Sequence, residues 1–127
     1  MEGLQLTADL RGCDAAKPAM SQADALRRVC LDAVREVGLT PVGELFHAFA
    51  PAASGRIAGV TGVVLLAESH LAVHTWPEQG AVTVDVYVCN FGVDNSRRAE
   101  ALLDALLKAF APGDLRRASW RRGGDRA

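Results

Sequence analysis

The chain has 127 residues, half of them hydrophobic, and a formal net charge of -1, so we expect one domain over residues 1–127 with a modest core. A balanced charge gives no general surface for nucleic acid, and no apolar run is long enough to cross a membrane. The chain has no pattern of a secretory signal, and its three cysteines have no disulfide or metal-ligand spacing, so we expect a cytoplasmic protein with reduced thiols and no metal.

The first half of the chain predicts a strand, a helix and a second strand. Apolar residues alternate with polar ones from Leu4 to Leu10, which is typical of a half-buried strand. Ser21 and Asp24 resemble a capping box, and apolar residues then recur at helical spacing until Gly38. A second strand is predicted over 42–49, and the residues of the Ala50–Ala58 segment are typical of a loop.

The second half predicts three strands and a helix. The strands cover residues 60–76, with a break near Glu68, residues 81–89, and a short stretch over 115–120. An apolar stripe predicts a helix over 96–110. Beyond it we expect a solvated basic tail that contains Arg116, Arg117, Arg121, Arg122 and Arg126. Strands outnumber helices and their links are short, which predicts an α+β two-layer sandwich with two helices on one face of an antiparallel sheet.

Polar side chains gather on one face of two neighbouring strands. Side chains alternate along a strand, so His74 shares a face with Trp76, and Asp85 shares a face with Tyr87 and Cys89. If the two strands pair as a hairpin through PEQG, these polar faces coincide and form one constellation. Taken singly, a histidine or cysteine in a strand is more often structural than catalytic.

The order of these residues resembles that of a known family. AESHLAVHTWPE at 67–78 is followed by VDVYVC at 84–89, with a second histidine five residues after the serine and a cysteine twenty residues after it. The pattern is similar to that of the small prokaryotic S-adenosylmethionine decarboxylase proenzymes, a pyruvoyl-dependent family. GLTPVGELFHAF at 38–49 and GVTGVV at 59–64 extend the resemblance, which fades after Pro112.

The resemblance implies self-cleavage of the chain. The Ser69 hydroxyl would attack the carbonyl of Glu68, and β-elimination from the resulting ester would leave residues 1–68, residues 69–127 and a pyruvoyl group derived from Ser69. His74 matches the family's processing histidine, and a neutral imidazole suits proton transfer near neutral pH. Thr61 matches a position usually filled by serine, whose hydroxyl assists processing.

The resemblance also implies the chemistry of the mature enzyme. The pyruvoyl carbonyl would form a Schiff base with the substrate amine and accept the electrons left when carbon dioxide departs. Cys89 matches the family's proton donor, Phe49 and His74 would flank the adenine, and Glu78 would bind the ribose hydroxyls. A homodimer with stacked sheets is implied as well.

Several departures from the family pattern leave alternatives open. The Ala50–Ala58 loop is longer than usual and contains Arg56, and the residues at Gln5, Gln79, Ala81 and Asn90 differ from the common ones. Our prediction is an S-adenosylmethionine decarboxylase that supplies decarboxylated S-adenosylmethionine for spermidine synthesis. One alternative is an arginine or ornithine decarboxylase, in which Asp85 binds the cationic side chain. The other is a binding or partner-subunit module that never processes.

Overall fold

The computed structural model describes residues 1–51 and 53–124, which form six strands and two α-helices. Their bounds are β1 Glu2–Arg11, α1 Ala23–Glu36, β2 Pro41–Ala48, β3 Val60–Leu66, β4 Ser69–Trp76, β5 Ala81–Cys89, α2 Ser96–Phe110 and β6 Asp114–Gly123. The part of the basic tail at Arg126 lies outside the described residues. Within the described ranges, no helix is both long and apolar enough to span a bilayer.

The six strands form one antiparallel sheet in the order β2-β3-β4-β5-β1-β6. Helix α1 packs on β2 and β3, α2 packs on β5 and β1, and the two helices contact each other, so both lie on the same face. The predicted α+β fold with two helices on one face of an antiparallel sheet is therefore confirmed. Within the described residues the other face carries no helix, and we call it the open face.

The core lies between the sheet and the helices and follows the two periodicities of the sequence. Every second residue of β5 is a fully buried valine, and the apolar stripe of α2 meets them. Helix α1 contributes the corresponding stripe, with Leu26, Cys30 and Val34 fully buried. Full burial of such side chains stabilises the fold by about 1.5–3 kcal/mol each.

Two details differ from the sequence prediction. Helix α1 begins at Ala23 without a side-chain cap, so the capping box at Ser21 is wrong. A short 3-10 turn at Pro18–Met20 precedes it, and the backbone N–H of Ser21 already donates to the Pro18 carbonyl. The predicted short last strand and solvated tail are instead one ten-residue strand, β6, which pairs along its whole length with β1.

Large apolar side chains remain exposed on and around the open face. Leu45 is 70% exposed, Leu65 49% and Trp120 66%. Leu65 lies on the face opposite the buried residues of β3, and the register pairs Leu45 with Val63 and Trp120 with Gln5, which lie on that same face of β3 and β1. Leu45 and Leu65 are on neighbouring strands at one edge of the sheet, and Trp120 is on the strand at the opposite edge.

Candidate active site

The predicted site residues lie at two separate ends of strand β4. Ser69 begins β4 and His74 lies five residues along it. At about 3.3 Å per residue, their Cα atoms are ~16 Å apart. We call the residues Glu68, Ser69, His70, Tyr87 and Cys89 the Ser69 end, and the residues Phe49, Thr61, His74, Trp76 and Glu78 the His74 end. The hairpin of β4 and β5 is confirmed, and it places His74, Asp85, Tyr87 and Cys89 on one face, although not in one cluster.

The turn before Ser69 has an unusual backbone conformation. Leu66 and Ser69 pair directly, so only Ala67 and Glu68 connect β3 to β4. Glu68 has a φ of 53°, in the left-handed region. This conformation costs a non-glycine residue about 1–2 kcal/mol. The peptide bond predicted to break therefore follows a strained residue, and strain of this kind is often found at functional sites.

Strand β5 holds the side chain of Ser69 in place. The backbone N–H of Cys89 donates to Ser69 Oγ at 3.0 Å. The Cys89 thiol lies 3.7 Å from a carboxylate oxygen of Glu68, so nucleophile, scissile residue and thiol are neighbours. Asn95 fixes this end of β5, because its side-chain amide donates to the Cys89 carbonyl at 2.9 Å. Sequence reasoning did not assign this role to Asn95, which is visible only from the turn between β5 and α2.

The three cysteines have different environments. Cys13 and Cys30 are buried, whereas Cys89 is partly exposed. Burial raises the pKa of the Cys30 thiol to about 12, and burial also raises the pKa of Cys13. The thiolate is the reactive form of cysteine, so the first two thiols are inert packing groups. Cys89 is therefore the most accessible of the three thiols.

At the His74 end, Thr61 and His74 face each other across β3 and β4. The distance between Thr61 Oγ1 and His74 Nδ1 is 3.0 Å, a hydrogen bond that orients the imidazole ring. The indole of Trp76 lies on the other side, with ring centroids 5.9 Å apart and an interplanar angle of 33°. The imidazole is thereby held in one orientation, as a positioned acid or base requires.

A groove of about 530 Å³ opens at the His74 end. Its lining includes the predicted binding residues Phe49 and Glu78 together with Thr61, His74 and Arg56. The Phe49 ring is 52% exposed, and its backbone N–H donates to the Gly59 carbonyl at 3.0 Å. The groove thus combines aromatic surfaces with one carboxylate and one guanidinium, a composition that suits a partly polar small molecule.

A buried threonine anchors the floor of this groove. Thr75 Oγ1 donates to the Met20 carbonyl at 2.7 Å and accepts from the backbone N–H of Val60 at 2.8 Å. Gly59 packs against the same strand so closely that a Cβ there would lie 1.8 Å from the Thr75 carbonyl oxygen. Only glycine fits at position 59. The C-terminal end of the loop that contains Arg56 is therefore packed directly against β4.

Asp85 lies between the two ends. It pairs with Ala72 in the middle of β4 and with Thr7 of β1, half-buried on the open face. It lines neither the groove at the His74 end nor a second groove at the Ser69 end, whose lining includes Glu68, Ser69 and Tyr87. The structure therefore does not place Asp85 with the other predicted binding residues of the same chain.

Comparisons with known proteins agree on one family. The family model described as S-adenosylmethionine decarboxylase matches residues 4–123. An S-adenosylmethionine decarboxylase proenzyme of Acidithiobacillus ferrooxidans is 37% identical over 121 residues, which are 95% of this chain and 82% of the relative. One of Aquifex aeolicus is 45% identical over 87 residues, 68% of this chain and 58% of the relative. The crystal structure of the adenosylmethionine decarboxylase from Aquifex aeolicus matches with a TM-score of 0.84 and 34% identity, covering 98% of this chain and 92% of that one.

Proposed function

Because this chain belongs to the S-adenosylmethionine decarboxylase family, we propose that it cleaves itself between Glu68 and Ser69 and then decarboxylates S-adenosylmethionine. The observation that carries the proposal is the Ser69 end: a serine Oγ is held 3.0 Å from the Cys89 N–H, directly after a residue in the left-handed conformation. The product would be the aminopropyl donor for spermidine synthesis.

The geometry of the turn favours the first bond rearrangement. Ser69 Oγ attacks the Glu68 carbonyl carbon, the C–N bond breaks, and the chain is joined by an ester. Loss of the Ser69 α-proton then breaks the Cβ–Oγ bond and releases the Glu68 carboxylate. Water finally replaces the amine nitrogen, which leaves as ammonia, and a ketone remains at position 69. The N–H of Cys89 supports the attack because its hydrogen bond holds Oγ in position.

The Ser69 end also fits the pyruvoyl group that this reaction produces. Position 69 lies at the start of a strand, within hydrogen-bond distance of the Cys89 backbone N–H, and lines a groove of about 520 Å³. The group's carbonyl supplies an electron sink for the bond that loses carbon dioxide. Cys89 would deliver a proton to the product carbon, and this role is supported by a partly exposed thiol that lies 3.7 Å from the carboxylate of Glu68, the residue before position 69.

The ~16 Å between Ser69 and His74 indicates that a second chain completes the site. Proton transfer requires hydrogen-bond distance, about 2.6–3.2 Å, or one bridging water. His74 therefore cannot serve Ser69 of its own chain in this fold. We infer a homodimer in which the open faces stack and the partner subunit's His74 and Thr61 reach the Ser69 end. Exposed Leu45, Leu65 and Trp120 supply apolar surface for such contact.

The same arrangement assigns the substrate-binding residues. The groove at the His74 end would bind the nucleoside, with Phe49 and His74 against the adenine and Glu78 at the ribose hydroxyls. The amino-acid end of the substrate would extend to the partner's Ser69 and Cys89. The relatives reported above are named as S-adenosylmethionine decarboxylases, so an arginine or ornithine decarboxylase and a non-processing module are not favoured.

The first test is the intact mass of the purified chain, with and without a carbonyl-trapping reagent. We expect two fragments, residues 1–68 and 69–127, with the second carrying the trapped carbonyl at its first residue. Ser69→Ala should remain one folded, inactive chain, whereas the matched control Ser119→Ala on β6 should cleave normally. Release of carbon dioxide is then compared for S-adenosylmethionine, arginine and ornithine. A wild-type chain that stays uncut after long incubation would contradict the proposal.

A further inference from the structure

One wall of the groove at the Ser69 end comes from the last strand of the sheet. This groove contains Glu68, Ser69 and His70 at the end of β4 and Tyr87 of β5, and Arg122 of β6 lines it as well. Its remaining lining is apolar, from Val42, Leu65 and Leu66. Arg122 is thus a cationic side chain in the groove where the reacting groups of the substrate would lie.

The missing side chain of Gly3 allows Arg122 to face this groove. Arg122 pairs with Gly3 of β1, and Gly3 pairs with Cys89 of β5. The ring of Tyr87 occupies the space above Gly3, because a Cβ at Gly3 would lie 2.6 Å from the tyrosine oxygen. Tyr87 therefore reaches across β1 toward β6. Because Gly3 has no side chain, the Tyr87 ring can lie above it and contact Arg122.

Two contacts hold the guanidinium of Arg122 in position. Its central carbon lies 5.9 Å from the centroid of the Tyr87 ring, within cation–π distance. It also donates a hydrogen bond to the side-chain carbonyl of Gln5. On the other side of Tyr87 lies His70, and the centroids of these two rings are 5.7 Å apart. The guanidinium is fixed by neutral groups, which do not neutralise its charge.

The charge of Arg122 has a different environment from that of the paired arginines. Arg27 forms an ion pair with Glu44, and Arg117 forms ion pairs with Glu100 and Asp104. In residues 1–51 and 53–124, no carboxylate lies within ion-pair distance of Arg122. A planar guanidinium binds a carboxylate through two parallel hydrogen bonds, so this side chain is suited to a carboxylate that enters the groove.

We propose that Arg122 binds the carboxylate of the amino-acid substrate in the groove beside Ser69. The inference rests on the proposed function and adds a binding residue to it. The carboxylate loses its charge as carbon dioxide forms, so the contact is stronger in the bound substrate than in the transition state. Loss of such a contact raises KM and does not lower kcat to the same extent.

The test compares three substitutions in the full, self-cleaved enzyme. Arg122→Gln should raise KM for S-adenosylmethionine about 10- to 100-fold, as expected for loss of a charge-assisted hydrogen bond, with kcat within about twofold of wild type. Arg122→Lys should recover part of the loss. Arg121→Gln is the matched control, because Arg121 lies next to Arg122 on β6 but outside the groove. It should behave like wild type.

A second readout separates carboxylate binding from a structural role. Decarboxylated S-adenosylmethionine lacks the carboxylate, so its inhibition constant should be the same in wild type and Arg122→Gln. If Arg122→Gln raises both the KM for S-adenosylmethionine and the inhibition constant of decarboxylated S-adenosylmethionine, Arg122 supports the shape of the groove and the proposal is overturned. If KM is unchanged and self-cleavage slows instead, the carboxylate bound is the new C-terminus at Glu68, and the substrate assignment is wrong.

The wild-type measurements keep this proposal distinguishable from the proposed function. A wild-type chain that does not cleave, or that cleaves and releases no carbon dioxide from S-adenosylmethionine, overturns both. A wild-type enzyme that is active, with equal KM values in all of the Arg122 variants, overturns only the role of Arg122.

Discussion

Two inactive variants of this chain are expected to restore self-cleavage when they share a dimer. Ser69→Ala removes the nucleophile and keeps His74, whereas His74→Ala keeps Ser69 and removes the processing base. Neither should cleave alone. In a mixed dimer, the Ser69 end of the His74→Ala chain meets the His74 end of the Ser69→Ala chain, so one complete site is formed.

The expected extent follows from the structure and from random assembly. The ~16 Å between Ser69 and His74 within one chain is about five times the distance for direct proton transfer, so a site within one chain predicts no cleavage in the mixture. A site shared by two chains predicts that about half of the His74→Ala chains are cut when equal amounts assemble at random into twofold dimers. The fragments of the His74→Ala chain are therefore absent if the site lies within one chain and abundant if two chains share it.

The assay co-expresses the two variants with tags of different mass and measures intact mass under denaturing conditions. The cut chain should be the His74→Ala chain, with fragments that end and begin at the Glu68–Ser69 bond. The matched control replaces the Ser69→Ala chain by one that also carries His74→Ala, which should abolish cleavage. An uncut mixture, or cleavage in the control, would refute the shared site.

Three further results are expected. Cys89→Ala should still self-cleave but decarboxylate about 10²- to 10⁴-fold more slowly, and normal turnover would remove Cys89 from the mechanism. Thr75→Val leaves a buried backbone donor and a buried acceptor unpaired, so urea unfolding of the uncut chain should show a loss of about 1–3 kcal/mol, and an unchanged midpoint would contradict this. At pH 8, iodoacetamide should label Cys89 well before Cys30, whose pKa is raised by burial to about 12, and peptide mapping that finds equal labelling would disprove the burial argument.

The sequence contained most of the fold, because each element follows a clear periodicity. The alternating valines of β5 and the apolar stripe of α2 predict the two surfaces of the core, and the structure buries both. The break near Glu68 was also predictable, since the apolar run is too long for one strand. The start of α1 was not, because the 3-10 turn at Pro18–Met20 uses the backbone groups that a capping box would satisfy.

The separation of the site into two ends was present in the sequence but was overlooked. Ser69 and His74 are five residues apart, so in a strand their Cα atoms are ~16 Å apart. His74 and Cys89 share a face of the sheet, but they lie at different positions along their strands, because His74 pairs with Thr83 and not with Cys89. Distance along the strand is the signal that would have indicated a second chain.

The position of Arg122 could not be predicted in the same way. Residues of β6 are exposed and rich in arginine, which in a sequence resembles a solvated tail. Charged residues are also typical of edge strands, where they oppose pairing with other chains. Only the long-range register with β1 places Arg122 beside Gly3 and Tyr87, and no local pattern specifies that register.

The distribution of groups on the open face supports the proposed twofold dimer. A twofold axis brings residue i of one chain to residue j of the other and j to i, so it exchanges the two ends of the face. An axis through the middle of β4, near Ala72, places each Ser69 end against the partner's His74 end. Both sites are then completed by one interface, and the exposed leucines are covered in the same step. If the Ser69 end and the His74 end lay in one cluster of the same chain, no exposed apolar face would be needed for a dimer contact. This chain has an open face with exposed Leu45 and Leu65.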